Sequence, residues 1–534
     1  MTHARAAAGS LLFLFVVVLN LLPLSAFKYI PSEDGPCHVY NASLLRSYVL
    51  DPGSNARHAF VFNASIPPNL LVHSLLAAEL GVLPPVAAER VVVLLYAVLL
   101  PIAFRYLLRS LSPQTHGLEF LSLFLVYNSH LHWGFYNFLF SIIFFLFAAG
   151  FWIRHRSRAT PYSALILGSL VLVLYCSHPV GLFEYWLACI AILSMDWFGN
   201  RKVLPDGLTL FLVSSLPAAA LYLHYLGTAV PAASEATTWP TLRYSTSLFL
   251  TLSPLATYSV WQRLLAVGVW VFLIAAYCCT SRRPVVSKVN GYLVAGMFAS
   301  ILIFLAPTSA GGGTMLTPRL IYFPVIWVCV WLVSLDWRPI PVSPAFVGFA
   351  LLLAIGMGAS NWIYYQRYDT KVRAFFSQAR SWPTDPYVSL RTPEPTSPLF
   401  LDRHSSPYLS YSLVAYLAAE RKQVLLGEYQ ASLNYFPLRY RDIAVPGLRA
   451  SNTTAWRDCS RSAYDNLPGR AGAALSPHIS VVLVPLGKPN AENCSGESPY
   501  ARITTPDFLL LYYDSTESSK LLGALTRISS TKSR

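Results

Sequence analysis

Apolar residues in this chain come in long unbroken runs rather than in the half-apolar stripes of a soluble domain. A membrane-crossing helix needs roughly 20 mostly apolar residues, and eleven segments come close. They are Ser10–Ala26, Val86–Leu108, Gly117–Ser129, Phe135–Ile153, Pro161–Ser177, Gly181–Trp197, Leu208–Leu226, Leu264–Cys279, Gly291–Ala306, Leu320–Trp337 and Val342–Tyr364. Gly117–Ser129 is short for a span and is expected to tilt or to start earlier. The pattern changes after Tyr364, where charge, Pro and Ser rise and no run is long enough to cross. There "HISVVLVPL" and "DFLLLYYDS" read as buried strands and "SYSLVAYLAAERK" as a helix. The expected fold is therefore an α-helical polytopic membrane protein of about eleven transmembrane helices, residues 1–364, followed by a soluble α/β domain, residues 365–534.

The first two spans are separated by a long loop, residues 27–86. Within it "NLLVHSLLAAEL" (Asn69–Leu80) has helical apolar spacing and is suited to lie along a membrane surface. The loop opens with "FKYIPSEDGPCHVYNASLL" (Phe27–Leu45), which places Glu33 and Asp34 side by side. Gly35, Pro36 and His38 follow and read as a turn rather than a helix.

Composition agrees with lipid as the main solvent. The 534 residues are 54% hydrophobic and only 12% charged, about half the charged share of soluble domains. The formal charge of +14 raises nucleic acid as a partner. The basic residues, however, sit in short turns between apolar runs, and no basic patch interleaved with stacking aromatics exists. No nucleic acid is expected. Instead the bases report topology. With Arg5 and the N-terminus cytoplasmic, every second turn is basic: Arg105 and Arg109, then Arg154, Arg156 and Arg158, then Arg201 and Lys202, then Arg282, Arg283 and Lys288, then Arg338. The alternate turns "NSHLHWG", "SHPVG" and "TSAGGGTMLTPR" are nearly free of positive charge. The loop 27–86 and the C-terminal domain then fall on the external side. A second reading of Ser10–Ala26 is a cleaved signal ending in "LPLSA", which leaves every downstream assignment of side unchanged.

Cys176, Cys189, Cys278, Cys279 and Cys329 fall inside spans, where a thiol is a small apolar residue. Cys37, Cys459 and Cys494 fall outside, in what is expected to be an oxidising compartment, and a Cys459–Cys494 bond is expected there. No Cys/His spacing suggests zinc. Sequons at Asn41, Asn63, Asn452 and Asn493 all lie on the external side.

Titratable groups collect on that same side. They are Glu33, Asp34 and His38 in the first loop, His130 and His132 in "YNSHLHWGFYNF", His178 in "CSHPVG", and Arg319 after the glycines of "AGGGTMLTPRL". Glu184 lies about one turn inside its span, while His116 and His155 are on the cytoplasmic side. Each has an ordinary explanation as an interfacial anchor, a helix cap or a carbonyl partner. Their concentration on one face is what suggests a site.

The layout of an N-in first span, a long external loop opening on an acid pair, many further spans and an external C-terminal domain resembles the GT-C superfamily. "SEDGPCHVYNASLL" is similar to that family's first-loop acidic motif, and Arg319 in a loop before a span resembles the donor-phosphate arginine of some members. The resemblance covers Ser10 to Tyr364 and leaves the C-terminal domain unmatched. It implies a polytopic glycosyltransferase, of a bacterial inner-membrane type, that takes its sugar from a polyprenyl-phosphate or polyprenyl-diphosphate donor. The acceptor is then a lipid, a glycan or a protein.

Inverting transfer needs a base for the acceptor's proton and a cation for the departing phosphate. Asp34 is the expected base, with Glu33 in reserve, and Arg319 the phosphate ligand. His38, His130, His132 and His178 are expected to contribute to substrate binding. No cofactor is required, though the acid pair is able to hold a divalent cation. Three other classes remain open: a polymerase or ligase acting on lipid-linked glycans, a transporter or flippase, and a non-catalytic scaffold. A transporter would place ionisable groups near mid-membrane, whereas these spans are nearly free of acids, Glu184 aside.

Overall fold

The computed structural model describes residues 2–54, 56–57, 60–199, 201–228, 237–257, 259–281, 289–310, 313–338 and 343–379. In the C-terminal part it describes 387–391, 413–426, 430, 433, 435–440, 479–485, 501–504 and 508–514. The chain divides into two compact units, one of residues 1–30, 64–72 and 90–366, the other of residues 31–63, 73–89 and 367–534. The helices are α1 (Thr2–Asn20), α2 (Leu22–Ala26), α3 (Gly35–Leu50), α4 (Leu71–Glu79), α5 (Pro85–Arg109), α6 (Leu121–Leu125), α7 (Ser129–Trp133), α8 (Tyr136–His155) and α9 (Pro161–Ser177). They continue with α10 (Pro179–Gly199), α11 (Leu204–Thr228), α12 (Leu242–Thr251), α13 (Val260–Cys278), α14 (Gly291–Leu305), α15 (Leu316–Arg319), α16 (Tyr322–Val333), α17 (Ser343–Ala379) and α18 (Leu413–Arg421).

Seven helices among the described residues are long and apolar enough to cross a membrane, and three shorter apolar ones accompany them. Ten of the eleven expected segments coincide with these helices. The protein is a multi-pass integral membrane protein. Apolar side chains are exposed on the spans, Leu216 at 69% and Ile355 at 67% for example, which water would penalise and lipid tails do not.

The segment expected as a span over Gly117–Ser129 is instead broken. A short 3₁₀ turn (Leu118–Phe120) leads into α6, which ends at Leu125, and Asn128 then caps the start of the next helix. The Asn128 amide nitrogen donates to the carbonyls of Leu125 (3.0 Å) and Val126 (3.2 Å), while its oxygen accepts from the Leu131 N–H at 2.9 Å. One buried asparagine thus satisfies both helix ends inside an apolar run. Gly134, left-handed at φ 77°, closes α7 and lets the chain re-enter as α8.

In the membrane unit α8 packs on α9 and α10, α10 on α14, and α14 on α16. Close approach depends on missing side chains. A Cβ at Gly181 of α10 would lie 2.7 Å from the Ser141 Oγ of α8, and one at Gly291 of α14 would lie 2.8 Å from the Ile192 Cα of α10. Without a water-driven hydrophobic effect between spans, such contacts supply much of the packing energy. The segment 64–72 is pinned to the same unit: the Tyr175 hydroxyl donates to the Ile66 carbonyl at 2.8 Å, the Leu70 N–H to the Cys176 carbonyl at 2.9 Å, and the Val72 N–H to Asn137 Oδ1 at 3.0 Å.

The second unit is mixed α/β. Five strands lie in the order β3 (Val424–Leu426), β2 (Tyr387–Arg391), β5 (Ile479–Pro485), β7 (Phe508–Asp514) and β6 (Ala501–Thr504). β2 is parallel to both its neighbours, and β7 is antiparallel to both of its own. A separate antiparallel pair joins β1 (Phe60–Phe62) of the first loop to β4 (Leu438–Tyr440), with Phe60 opposite Tyr440. The first-loop helix α3 packs on α18. Its Tyr40 hydroxyl donates to the Gln423 carbonyl at 3.2 Å and its Ser43 hydroxyl to the Ala419 carbonyl at 3.4 Å. Much of the first loop therefore folds together with the C-terminal segment.

Two sequons are closed to modification in this fold. Asn41 is fully buried on α3, and Asn63, 1% exposed, donates from its side chain to the Phe436 carbonyl at 3.0 Å. Asn452 and Asn493, the expected Cys459–Cys494 bond, and Arg282, Arg283 and Lys288 lie outside the described residues.

Gly181→Val tests the close helix contact. Its branched side chain has to displace α8 backbone and Ser141, so stability should fall by about 1–3 kcal/mol or more, read as a lower melting temperature in detergent. An unchanged melting temperature would show that α8 and α10 do not approach this closely.

Candidate functional site

Three of the sequence-predicted residues come together in the membrane unit. His130 sits on α7, the single helical turn held between Asn128 and Gly134. His178 is the residue between α9 and α10, extended at φ −167° and ψ 138°. Arg319 ends α15, which starts after Met315 in the left-handed region at φ 54°. The Leu316 N–H donates to the Thr308 carbonyl at 2.8 Å, which ties the start of this helix to the residues that follow α14.

Arg319 is 8% exposed, His178 7% and His130 fully buried. Arg319 Nη1 donates to His178 Nε2 at 2.7 Å. The guanidinium also stacks over the Phe135 ring, 4.4 Å from its centroid, and lies 5.6 Å from that of Phe138. Phe138 in turn contacts His130 (5.1 Å), His178 (5.6 Å) and Tyr322 (5.8 Å). His130 Nδ1 is 2.8 Å from the Tyr322 hydroxyl. Whichever of the two carries the shared proton, His130 Nε2 is buried without a protein partner. Burial, with the charge of Arg319 added, holds both imidazoles well below their ordinary pKa. They stay neutral at neutral pH, and the cluster carries its positive charge on the guanidinium.

His132 takes a different course, because residues two apart on a helix face different sides. Its Nδ1 lies 3.1 Å from Thr257 Oγ1 and its Nε2 2.8 Å from the Tyr365 hydroxyl. Thr257 is held in turn by Gln262, whose side-chain oxygen accepts from its N–H at 2.8 Å. Burial pushes the pKa of His132 down to about 3. Both its ring nitrogens are engaged in a network tying α7 to α13 and α17.

Glu33, Asp34 and His38 belong to the other unit. The sequence reads Gly35 and Pro36 as a turn, but they form the first turn of α3. Proline is tolerated there because the first N–H groups of a helix have no intrahelical partner. Asp34 is the residue immediately before α3, yet its side chain makes no capping bond to it. The Ser32 hydroxyl accepts from the Gly35 N–H at 3.0 Å instead. Asp34 and Glu33 are half-buried while their neighbours Ser32 and Gly35 to Tyr40 are buried. The carboxylates thus sit at the positive end of a helix that has satisfied a backbone donor elsewhere. His38, one turn on, has Nδ1 3.1 Å from His73 Nε2 on α4 and accepts from Gln430 at 3.1 Å.

Tyr322, His73, Gln430 and Glu79 were not singled out by sequence. Tyr322 follows Arg319 by three residues, one helical turn, and that spacing was the available signal. Glu184 is 2% exposed and its Oε1 has no hydrogen-bond partner. Among the described residues no three His, Cys, Asp or Glu side chains gather as metal ligands.

A bundle of apolar helices with a long loop folded onto a C-terminal α/β segment defines a polytopic membrane protein. The chain is similar in structure to ArnT from Cupriavidus metallidurans, solved as a crystal structure in the apo state, with a TM-score of 0.50. The match covers 95% of this chain and 98% of that one at 11% sequence identity, so it establishes the shared fold. No protein-family model matches the chain, and no curated protein matches it in sequence.

Glu79 ends α4 with Oε2 buried and without a hydrogen-bond partner, and burial pushes its pKa up to about 7. An acid whose pKa is raised by folding costs nothing below its unfolded value. The cost develops as pH rises from about 4.5 and is complete above about 7. Glu79→Gln should therefore stabilise the protein by about 1 kcal/mol at pH 8, after allowance for the solvent at its exposed side, and change nothing at pH 4. Melting curves at the two pH values check this, and an equal effect at both would contradict it.

Proposed function

We propose that this protein is a membrane glycosyltransferase that moves a sugar from a polyprenyl-phosphate or polyprenyl-diphosphate donor to a lipid, glycan or protein acceptor. The observation that carries the reading is the buried group of Arg319, His178 and His130, with a guanidinium among aromatic rings beside a histidine nitrogen that has no protein partner. A phosphate oxygen is the ligand chemistry that suits it, because it accepts several N–H bonds at once and matches the guanidinium in charge. The shared fold with ArnT, an undecaprenyl-phosphate-Ara4N transferase of the GT-C family, supports the same class of donor.

In this reading Arg319 holds the donor phosphate, and His130 Nε2 is available to a second oxygen. Asp34 is the base. As the acceptor hydroxyl attacks the anomeric carbon from the face opposite the phosphate, its proton passes to the Asp34 carboxylate. The bond from that carbon to the phosphate oxygen breaks, and its electron pair leaves with the phosphate, whose charge Arg319 offsets. The configuration inverts. Glu33 orients the acceptor or holds a divalent cation. His38 and His132, whose ring nitrogens engage protein neighbours, serve to hold α3 and α7. The basic turns support a cytoplasmic N-terminus, with the reaction and the C-terminal segment at the external face.

Asp34→Asn keeps the size of the side chain but cannot take the proton, so turnover should fall about 10²-fold or more. Glu33→Gln should cost less. Arg319→Ala should chiefly weaken use of the donor, and Arg319→Lys should restore it in part, because a single ammonium replaces a two-pronged donor. Transfer assays on purified, folded variants with a radiolabelled polyprenyl-phosphate sugar decide this. Wild-type turnover by Asp34→Asn removes the base assignment.

A further inference from the structure

The imidazole of His178 is in contact with two N–H donors at once. Its Nδ1 faces the backbone N–H of Val180 at 3.2 Å, in the manner of a side chain capping α10, and its Nε2 faces Arg319 Nη1 at 2.7 Å. A neutral imidazole has one ring nitrogen with a free lone pair, and a protonated one has none. Only one of the two bonds can therefore be made at a time. The bond from the guanidinium is shorter and charge-assisted, a class roughly twice as strong as a neutral pair. With no ligand present the proton accordingly sits on Nδ1, and Nε2 accepts from Arg319.

We propose that His178 is a positioning residue for Arg319: its Nε2 aims the guanidinium in the free protein, and the ring changes tautomer when an anionic oxygen takes over the arginine's N–H. This rests on the reading of Arg319 as the ligand of the donor phosphate. Once an oxygen of the ligand takes the Nη1 hydrogen that faces the imidazole, His178 has no donor left at Nε2. Its proton moves to that nitrogen, where it donates to the ligand, and Nδ1 becomes free to accept from Val180 and cap α10. The positive charge and the number of protons stay the same, and the cap on α10, missing in the free protein, is gained.

Several features fit this exchange. The ring stays neutral through burial and the neighbouring charge of Arg319, so a change of tautomer is available to it without a change of charge. Phe138 packs against both His178 and Arg319, which limits how far either can swing. His130 Nε2, buried and without a partner beside the same Phe138 ring, offers a second contact to an anion that sits between the histidines.

Two substitutions separate the ends of the ring. In His178→Asn the side-chain oxygen falls near the Nδ1 position and keeps the cap, but nothing reaches Arg319. In His178→Gln the amide reaches the Nε2 position and loses the cap. Binding of a short-chain polyprenyl phosphate is measured on the full-length protein in detergent, with Arg319→Ala as reference. His178→Asn should bind about tenfold more weakly at an unchanged melting temperature. His178→Gln should stay within about threefold of wild type, with a melting temperature lower by about 2 °C.

The reverse pattern, or wild-type binding by His178→Asn while Arg319→Ala loses it, overturns the positioning role. If Arg319→Ala binds as tightly as wild type, the phosphate reading itself fails. Nitrogen-15 spectra of histidine-labelled wild-type protein give a readout that needs no variant to fold. The His178 proton should move from Nδ1 to Nε2 on addition of the polyprenyl phosphate, and an unchanged tautomer contradicts the exchange.

Discussion

The guanidinium of Arg319 lies at 8% exposure within a bundle of apolar helices, where a cation stripped of water and left unpartnered would cost several kcal/mol. What surrounds it is organised to prevent that. His178 supplies an acceptor, and the Phe135 face supplies a cation–π contact at 4.4 Å. A neutral acceptor and two rings help to hold the arginine in place.

The acid pair is governed by a different constraint. Asp34 and Glu33 stand at the start of α3, and α3 is fixed by α18, by the pairing of β1 with β4 and by the His38–His73–Gln430 contacts. The C-terminal segment thus has a structural task that its own residues do not announce. It supplies the surface on which the first-loop helix is built, so a carboxylate near the start of the chain depends on residues some 400 positions later. Loop-closure cost grows only slowly with such separations, and a fold of this kind bears it once.

Much of this arrangement is legible in the sequence because it is local. Apolar runs marked the spans. Period and composition marked the helices at Leu71–Glu79 and Leu413–Arg421 and the strands at Ile479–Pro485 and Phe508–Asp514. Two local features were misread for identifiable reasons. Gly35-Pro36 punctuates a turn or opens a helix with equal ease, and here Ser32 supplies the acceptor that tips it to a helix. Asn128 breaks an apolar run by satisfying both helix ends at once, which hydropathy does not register. The pairing of His178 with Arg319 joins residues 141 apart, and composition could only place both at the ends of spans. Which histidines face the arginine and which, like His132, are turned elsewhere depends on packing.

In the proposed function the arginine–histidine group receives the phosphate of a lipid-linked donor. A structure of the full-length protein with a polyprenyl phosphate bound tests it most directly. The expected result is a phosphate oxygen within about 3 Å of an Arg319 nitrogen, with His130 Nε2 donating to the same group. A phosphate seated elsewhere, with Arg319 still bonded to His178 and His130 Nε2 still without a partner, would contradict it.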